Sequence, residues 1–379
     1  MERRVLTLDE HALRRRTSIK WQLYEPDVLP LWVAEMDVAP APAVLEELAR
    51  IARDGDLGYP VTGPYTEAIA ALYGEWGAQV EPTRSRPVAD VMAGVRAGLE
   101  ALTGPDDPVY ITVPVYPPFH AAAQEVGRRL VPVPLSPTGR LDPAALDAAF
   151  AEHGRGALLL SNPHNPTGTV PTREELTQVA VAAERRGVRI VSDEIHAPLV
   201  LPGASFTPLL SLPEAQSGLT VFSPAKGWNL AGAKSAVIFG GSEASDAIRS
   251  LPPGLEFTTS HLGVRLHTAA LIGGRDWLAD LVDDLAANRT LLATLLDEHL
   301  PGVVWRPVEA TYLAWLDCRQ LGLGSDPAAH FREVARVALT PGPPFGAGEG
   351  YARLNFATSP ALLSEAVVRM GRSLEGRGA

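Results

Sequence analysis

Residues 223–241 read SPAKGWNLAGAKSAVIFGG, and Lys226 comes shortly after the apolar run LTVF at 219–222. That run and the later SAVIFGG both have the composition expected of buried strands. Most lysines lie on solvated surfaces, whereas Lys226 stands among small residues where the chain leaves a predicted strand. A lysine in this position is a candidate nucleophile, because desolvation keeps part of the amine neutral.

Similar apolar runs alternate with helical patterns through the middle of the chain. Between two of them, Thr172 and Glu175 form a predicted capping box at the start of a helix that Gly187 ends. The alternation predicts an α/β fold with a mostly parallel sheet covered on both faces. The predicted buried strands are residues 107–116, 156–163, 188–194, 219–226 and 234–241.

The pattern changes near Trp277, where apolar spacing predicts a long helix that ends at His299. A hairpin over 302–318, a helix over 326–339, a strand at 351–357 and a final helix are expected to follow. This order suits a second, smaller α+β domain. The predicted division is an N-terminal segment, 1–44, that joins the small domain, a large domain, 45–275, and a small C-terminal domain, 276–379.

Composition and charge exclude several classes of protein. Hydrophobic residues make up 46% of the chain and charged residues 20%, as in globular proteins. The net charge of −11 argues against nucleic acid or a membrane surface as a partner. We expect a cytoplasmic protein, because the N-terminus lacks the apolar core of a signal peptide and a single cysteine, Cys318, fits a reducing compartment.

Polar side chains follow four of the predicted strands, where open α/β sheets bind ligands. Each alone has a structural explanation, such as a turn or a helix cap, but four together indicate a shared ligand. The G-x-S-x-G, phosphate-loop, H-E-x-x-H and C-x-x-C motifs of other enzymes and metal sites are absent from the sequence. The polar residues at the strand ends are Tyr116, Asn165, Asp193, His196, Ser223 and Lys226.

An aromatic aldehyde with a basic ring nitrogen and a phosphate would account for these groups together. Lys226 would form a Schiff base with the aldehyde. Asp193 would keep the ring nitrogen protonated, so that the ring accepts electrons. Asn165 would donate to the phenolic oxygen, and Tyr116 would stack on the ring.

Three motifs resemble those of the fold-type I enzymes that depend on pyridoxal 5'-phosphate (PLP), the aspartate aminotransferase superfamily. They are SNPHNPTG (161–168), SDEIH (192–196) and SPAKGWNLAGAK (223–234). The N-terminal KWQLYEPDVLPLWVAEMDVAPAPAV (20–44) and YARLNFA (351–357) are similar to the cystathionine β-lyase or C-S lyase subgroup, often called MalY/PatB-like. The resemblance covers nearly the whole chain and implies a large domain with a seven-stranded, mostly parallel sheet.

The resemblance also implies a set of cofactor contacts. Lys226 would anchor PLP and later shuttle a proton, and Asp193 would pair with the ring nitrogen. Tyr59 would reach the phosphate of a neighbouring subunit, which implies a homodimer with shared active sites. The further PLP contacts that it implies are the N–H groups of Gly94, Val95 and Arg96 at a helix start, together with Tyr116, Asn165, His196, Ser223 and Lys234.

For the substrate, the resemblance implies that Arg353 clamps the α-carboxylate, with Asn165 beside it. The segment Trp32–Glu35, including Ala34 and Glu35, would line the substrate entrance. The chain departs from the subgroup at Ala225, where a Ser or Thr is common, and at Glu35, where an Asp is common. Pro224 also stiffens the approach to Lys226.

The leading hypothesis is a PLP-dependent C-S β-lyase that converts L-cystathionine or related cysteine S-conjugates to a thiol, pyruvate and ammonia. An aminotransferase acting on an amino acid and a 2-oxo acid is the alternative, because the first steps are shared. A binding or regulatory protein that keeps the fold without the chemistry is a third hypothesis.

Overall fold

The computed structural model describes residues 4–375. Its strands, numbered along the chain, are β1 (Leu29–Pro30), β2 (Ser85–Val88), β3 (Val109–Val113), β4 (Leu130–Pro134), β5 (Gly156–Ser161), β6 (Val188–Asp193), β7 (Leu219–Phe222), β8 (Ala236–Gly240), β9 (Leu313–Asp317), β10 (Val337–Ala338), β11 (Thr340–Pro341) and β12 (Tyr351–Asn355). Its α-helices are α1 (Glu10–Arg14), α2 (Ile19–Gln22), α3 (Pro42–Asp54), α4 (Gly63–Glu75), α5 (Val91–Leu102), α6 (Pro118–Glu125), α7 (Pro143–His153), α8 (Arg173–Arg186), α9 (Ser245–Ser250), α10 (His261–Gly273), α11 (Arg275–His299), α12 (Pro327–Glu333) and α13 (Pro360–Arg372).

Seven strands form the central sheet in the order β2-β8-β7-β6-β5-β3-β4. Only β8 runs against its neighbours, so the predicted mostly parallel sheet is confirmed. The residues of β3, β5 and β7 are all buried, as expected for apolar strands covered on both faces. One face packs on α5 and α6, and part of the other packs on α7 and α8. All five predicted strands are present, each shorter than its predicted range.

Helix α8 begins as its sequence predicts. The Thr172 side chain accepts a hydrogen bond from the Glu175 backbone N–H at 3.1 Å. The Glu175 carboxylate accepts one from the Thr172 backbone N–H at 2.7 Å, which completes the capping box. Gly187 ends the helix with a φ of 69°, a conformation that favours glycine.

A second apolar core joins the N-terminal region to the C-terminal part of the chain. Leu29 and Met36 pack in one cluster with Leu313, Leu354 and Met370. Strand β1 pairs with β10, and β9, β12 and β11 form a small antiparallel sheet. These contacts support our proposal that an N-terminal segment joins a small C-terminal domain.

The proposed division at 1–44, 45–275 and 276–379 needs one adjustment at its first boundary. Residue 44 falls inside α3, and both Val44 and Ile51 of this helix pack in the cluster of Tyr65. We therefore propose that the large domain begins before Pro42. The ends of the division, residues 1–3 and 376–379, lie outside the described residues.

The predicted hairpin over 302–318 is present only as one antiparallel bridge. Val304 makes only an isolated bridge to Asp317 of β9. The backbone N–H groups of Glu309 and Thr311 instead donate to the carbonyls of Gly168 and Leu199. This stretch thus forms hydrogen bonds with loops of the large sheet and does not form a second strand beside β9.

The helix predicted over 326–339 is right only in its first half. Helix α12 ends at Glu333, and Arg336 has a φ of 57°, which an α-helix does not allow. Val337 and Ala338 then pair with β1, so tertiary contacts override the helical pattern. The long helix predicted from Trp277 to His299 is confirmed as α11. Within residues 4–375, no helix is long and apolar enough to cross a bilayer.

Candidate active site

The C-terminal ends of β5, β6 and β7 open into one cavity of about 160 Å³. Parallel pairing sets Ser161 opposite Asp193 and Asp193 opposite Val221, so the side chains that follow these strands meet. The residues lining the cavity are Ala34, Asp90, Val91, Met92, Tyr116, Ser161, Asn165, Asp193, Ile195, His196, Ser223, Ala225, Lys226, Ala231, Ala233, Lys234 and Ser235. The structure thus brings together most of the residues predicted for the site.

Lys226 projects into this cavity and is otherwise surrounded by protein. Its Nζ donates a hydrogen bond to the Ala34 carbonyl at 2.7 Å, and the Tyr312 hydroxyl donates to the same oxygen at 3.0 Å. Burial, and next the charge of Arg353, lower the pKa of Lys226 to about 8. A sizeable fraction of the amine is therefore neutral, and so nucleophilic, slightly above neutral pH.

The chain has three lysines, and the two others are engaged in ion pairs. Lys20 is fully buried and lies 2.8 Å from Asp37. Lys234 lies 3.0 Å from the carboxylate of Asp90. Lys226 is thus the lysine of the cavity that has no ion-pair partner among residues 4–375.

Asp193 ends β6 with a buried side chain that lines the cavity. Its Oδ1 accepts a hydrogen bond from the Ile195 backbone N–H at 3.0 Å. Burial raises the pKa of Asp193 to about 7, although the Ile195 N–H and the charge of Lys226 oppose this rise. A cation inside the cavity would therefore stabilise the ionised form of this carboxyl group, which burial disfavours.

Asn165 and Arg353 form a buried pair next to the cavity. Arg353 Nη1 donates to Asn165 Oδ1 at 3.0 Å, and Nη2 donates to Thr340 Oγ1 at 3.2 Å. The guanidinium lies over the Phe345 ring at 5.2 Å, and its Nε has no partner among residues 4–375. Burial lowers the pKa of Arg353 to about 10, so the group remains charged at neutral pH. A buried cation with a spare donor suits a carboxylate ligand.

His196 and Tyr116 also line the cavity. Burial lowers the pKa of His196 to about 3, so its imidazole is neutral. Its Nδ1 has no hydrogen-bond partner in the described part of the chain. The Tyr116 backbone N–H donates to the Asn165 carbonyl, which ties the loop after β3 to the loop after β5. The neutral histidine leaves a ring nitrogen that is available to a ligand.

The helix start that borders the cavity differs from the predicted one. Asp90 caps α5 by accepting from the Ala93 N–H at 2.8 Å, and Asp90, Val91 and Met92 line the cavity. Gly94 lies one turn further on, where an added Cβ would meet Val221 Cγ1 at 2.6 Å. It serves close packing between helix and sheet, not ligand contact.

The prediction for Gly94, Val95 and Arg96 is therefore wrong by about one turn of α5. Val95 is buried in the core between the sheet and helices α5 and α6. The Arg96 guanidinium pairs with Glu125 at 3.1 Å instead of facing the cavity. The first N–H groups of α5 lie between Val91 and Ala93, and helix N-termini attract anions.

Ser223 and Lys234 lie beside this helix start. The Ser223 hydroxyl donates to the Ser235 carbonyl at 2.6 Å and accepts from the Ala225 N–H. The Lys234 ammonium bonds to the carboxylate of Asp90, the cap of α5. Both side chains line the cavity, but each already has a protein partner.

Two further predicted residues, Tyr59 and Glu35, are also not among those that line the cavity. Tyr59 is 84% exposed, and its ring contacts Phe257 edge-on. Glu35 is half-buried next to Ala34, and its Oε1 accepts from the Ser18 hydroxyl at 2.6 Å.

Sequence reasoning missed Asp90, Tyr312, Ser161 and Ser235. Asp90 carries a detectable signal, since an Asp before an apolar helical run is typical of an N-cap. Tyr312 carries none, because it comes close to Lys226 only through the packing of the C-terminal part on the large sheet.

Comparison with known proteins agrees with this geometry. The sequence model of the family described as "Aminotransferase class I and II" matches residues 26–370. The chain is 47% identical to a Mycobacterium tuberculosis protein whose name gives cystathionine beta-lyase as its proposed activity, over 97% of both chains. It is 34% identical to the cystathionine beta-lyase of Corynebacterium glutamicum, over 96% of this chain and 98% of that protein.

A solved structure extends the likeness to the whole fold. The crystal structure of a protein proposed as a PLP-dependent beta-cystathionase from Corynebacterium diphtheriae superimposes with a TM-score of 0.93 at 34% identity. The match covers 98% of this chain and 99% of that one. The chain belongs to the aminotransferase class I and II family.

Proposed function

We propose that the protein is a PLP-dependent C-S β-lyase that cleaves L-cystathionine or related cysteine S-conjugates to a thiol, pyruvate and ammonia. The observation that carries this proposal is a lysine with a pKa lowered to about 8, in the same cavity as a buried aspartate. The relatives named cystathionine beta-lyase support the C-S bond as the one that is cleaved.

The residues of the cavity fit PLP. Lys226 offers an amine for covalent attachment, and Asp193 offers a carboxyl group that would be stabilised by a protonated ring nitrogen. Since Asn165 Oδ1 accepts from Arg353, its amide N–H groups remain free to donate to a phenolic oxygen. The start of α5 suits the phosphate. When bound, PLP supplies an aldehyde that holds the substrate amino group and a ring that accepts the electron pair from Cα.

Arg353 would bind the α-carboxylate of the substrate. A guanidinium presents two parallel donors to a carboxylate, and the hydrogen bonds to Asn165 and Thr340 fix its plane. The burial of Arg353 would exclude water from its contact with the carboxylate, which would strengthen their electrostatic attraction.

Lys226 would act as the base that removes the Cα proton. Its neutral amine accepts the proton, and the Ala34 carbonyl is positioned to accept a hydrogen bond from the ammonium that results. The Cβ–S bond then breaks, and the sulfur leaves as a thiol with a proton. The remaining three-carbon amine takes up one water to give pyruvate and ammonia.

An aminotransferase remains the second candidate. The family name favours it, and Lys226, Asp193 and Arg353 would serve the early steps equally well. The two reactions differ in whether a Cβ–S bond breaks or the amino group passes to a 2-oxo acid.

A product assay tests the proposal. The holoenzyme is mixed with L-cystathionine without any 2-oxo acid, and thiol and pyruvate are measured together. A second reaction contains an amino acid and a 2-oxo acid. We expect thiol and pyruvate in equal amounts in the first reaction and none with Lys226→Ala. Robust amino transfer without thiol or pyruvate would favour the aminotransferase.

We also propose that the protein is a homodimer, with Tyr59 reaching the phosphate site of the partner subunit. The exposed apolar side chains close to Tyr59 support this assembly, because monomeric proteins rarely expose a large contiguous apolar patch. They are Leu57 (71% exposed), Tyr59 (84%), Val61 (76%) and Phe257 (66%). A cytoplasmic location remains a prediction that the single, buried cysteine supports.

A further inference from the structure

Asp90 places a carboxylate at the start of α5, where it lines the cavity together with Lys234. Its Oδ1 accepts a hydrogen bond from the Ala93 backbone N–H at 2.8 Å, and its Oδ2 accepts one from Lys234 Nζ at 3.0 Å. A helix N–H and a lysine ammonium are also the donors that a phosphate group uses. An anion of the chain itself therefore holds donors that the phosphate of PLP needs.

The carboxylate of Asp90 is ionised at neutral pH. Burial alone would raise its pKa, but the hydrogen bond from the Ala93 N–H and the pairing with Lys234 hold the pKa of Asp90 below its ordinary value. The side chains of Lys234 and Asp90 remain 58% and 37% exposed, so water partly screens their attraction. Another anion that reaches the cavity can therefore replace this pair.

The backbone keeps Asp90 and Lys234 next to each other. The Asp90 carbonyl accepts from the Gly94 N–H at 3.0 Å, which is a bond at the start of α5. Lys234 precedes β8, and its carbonyl accepts from the Ser260 N–H at 3.0 Å. The Asp90 carboxylate cannot withdraw from the cavity without also giving up its cap on α5, so it stays close to any phosphate that binds there.

Lys234 is the cation that remains for the phosphate group. Within residues 4–375, two lysines and no arginine line the cavity, and Lys226 is proposed to bind the aldehyde of PLP. The Ser223 hydroxyl already donates its proton to the Ser235 carbonyl at 2.6 Å. A phosphate at the start of α5 would therefore share Lys234 with Asp90, and the two anions would repel each other.

Resting on the proposed function, we propose that Asp90 is an internal competitor of the phosphate group of PLP. Its carboxylate binds Lys234 in the cofactor-free protein and opposes the phosphate that takes its place. The charge of Asp90 thus lowers the affinity for PLP, and its removal raises that affinity. The competition concerns the phosphate alone, so it does not extend to a cofactor analogue without one.

Titration of the full cofactor-free chain with PLP tests the inference. Dissociation constants are measured from the absorbance of the bound cofactor for wild type and for Asp90→Asn, which keeps a side-chain oxygen to cap α5. A partly exposed ion pair is worth up to about fivefold in affinity, so we expect Asp90→Asn to bind PLP about fivefold more tightly. Pyridoxal, which lacks the phosphate, should bind equally well to wild type and Asp90→Asn.

Two further variants serve as controls. Asp90→Ser removes the charge and keeps a hydroxyl that caps helices well, so it should also bind PLP more tightly than wild type. Glu100→Gln removes a charge from an exposed position of the same helix, and its affinity for PLP should equal that of wild type.

The outcomes separate this inference from the proposed function. If neither wild type nor any variant binds PLP, the proposed function fails. If wild type binds PLP and the two Asp90 variants bind it no more tightly, the competition fails alone, and weaker binding would mean that Asp90 positions Lys234 for the phosphate. The competition also fails if the variants gain as much affinity for pyridoxal as for PLP, since the charge would then act on the ring or on Lys226.

Discussion

At the scale of single residues, the burial of Asp193 lowers the stability of the cofactor-free protein at neutral pH. The pKa of Asp193 is raised from 3.8 to about 7, so the folded protein holds a proton that the unfolded chain releases. Stability is therefore lost as the pH rises from about 4 to about 7. We expect cofactor-free Asp193→Asn to be more stable than wild type above this range, by up to about 4 kcal/mol.

Urea unfolding of the two cofactor-free proteins at pH 4, 6 and 8 checks this expectation. The difference in the free energy of unfolding should be small at pH 4 and largest at pH 8. A variant that is less stable than wild type at every pH would show that the buried charge of Asp193 does not lower the free energy of unfolding. The same variant should also lose PLP affinity, because the ring nitrogen loses its anionic partner.

The pKa of Lys226 predicts how fast the cofactor-free protein takes up PLP. With a pKa of about 8, roughly a tenth of the amine is neutral at pH 7 and about half at pH 8. The initial rate of PLP incorporation, followed by absorbance, should rise between pH 7 and 8 and level off near pH 9. A rate that climbs until pH 10.5 would mean that the lysine has its ordinary pKa.

The residues at strand ends could be predicted because sequence position there fixes position in space. Asn165, Asp193 and Lys226 each follow an apolar run, and parallel pairing aligns the ends of such runs. The start of α5, which is proposed to hold the phosphate, could not be located in the same way. The resemblance puts the helix start at Gly94, whereas Asp90 caps the helix and Gly94 permits its close packing on β7 and β8.

At the scale of elements, the segment from Trp32 to Asp37 is held by a buried ion pair. Lys20 and Asp37 are both fully buried at 2.8 Å, and Trp21 Nε1 donates to Asp37 Oδ1 at 2.9 Å. Removing one partner leaves an uncompensated buried charge, so Lys20→Met should lower the free energy of unfolding by about 3–5 kcal/mol. Adding Asp37→Asn should recover part of the loss, because the charge is gone while Trp21 keeps an acceptor.

Urea unfolding of the single and double variants measures both effects. Arg369→Gln, which breaks a surface pair with Glu365, is the control and should cost less than about 1 kcal/mol. If the double variant is no more stable than Lys20→Met, the loss comes from packing and not from the unpaired charge.

Elements formed by local signals could be predicted, and those formed by distant contacts could not. Helix α8 carries its own cap, and β5 is a continuous apolar run. Helix α12 ends early because Val337 and Ala338 pair with β1, more than 300 residues away in the sequence. No local pattern around residue 337 indicates that partner.

At the scale of the whole molecule, the exposed apolar side chains near Tyr59 predict a dimer. Light scattering after gel filtration should give about twice the 40.3 kDa of one chain. Leu57→Arg with Val61→Arg should shift the mass toward the monomer and weaken PLP binding, since the proposed Tyr59 contact crosses the interface. Val181→Arg, on the exposed face of α8, is the control. A monomeric wild type with full PLP affinity would contradict the proposed assembly.

Lys226 is the residue proposed to carry the cofactor, and the chain allows a direct test because it has only three lysines. The holoenzyme is reduced with borohydride and digested, and the peptides are mapped by mass spectrometry. We predict the mass of a reduced pyridoxyl phosphate on Lys226, with Lys20 and Lys234 unmodified. A label on either of those lysines, or no label on Lys226, would contradict the account.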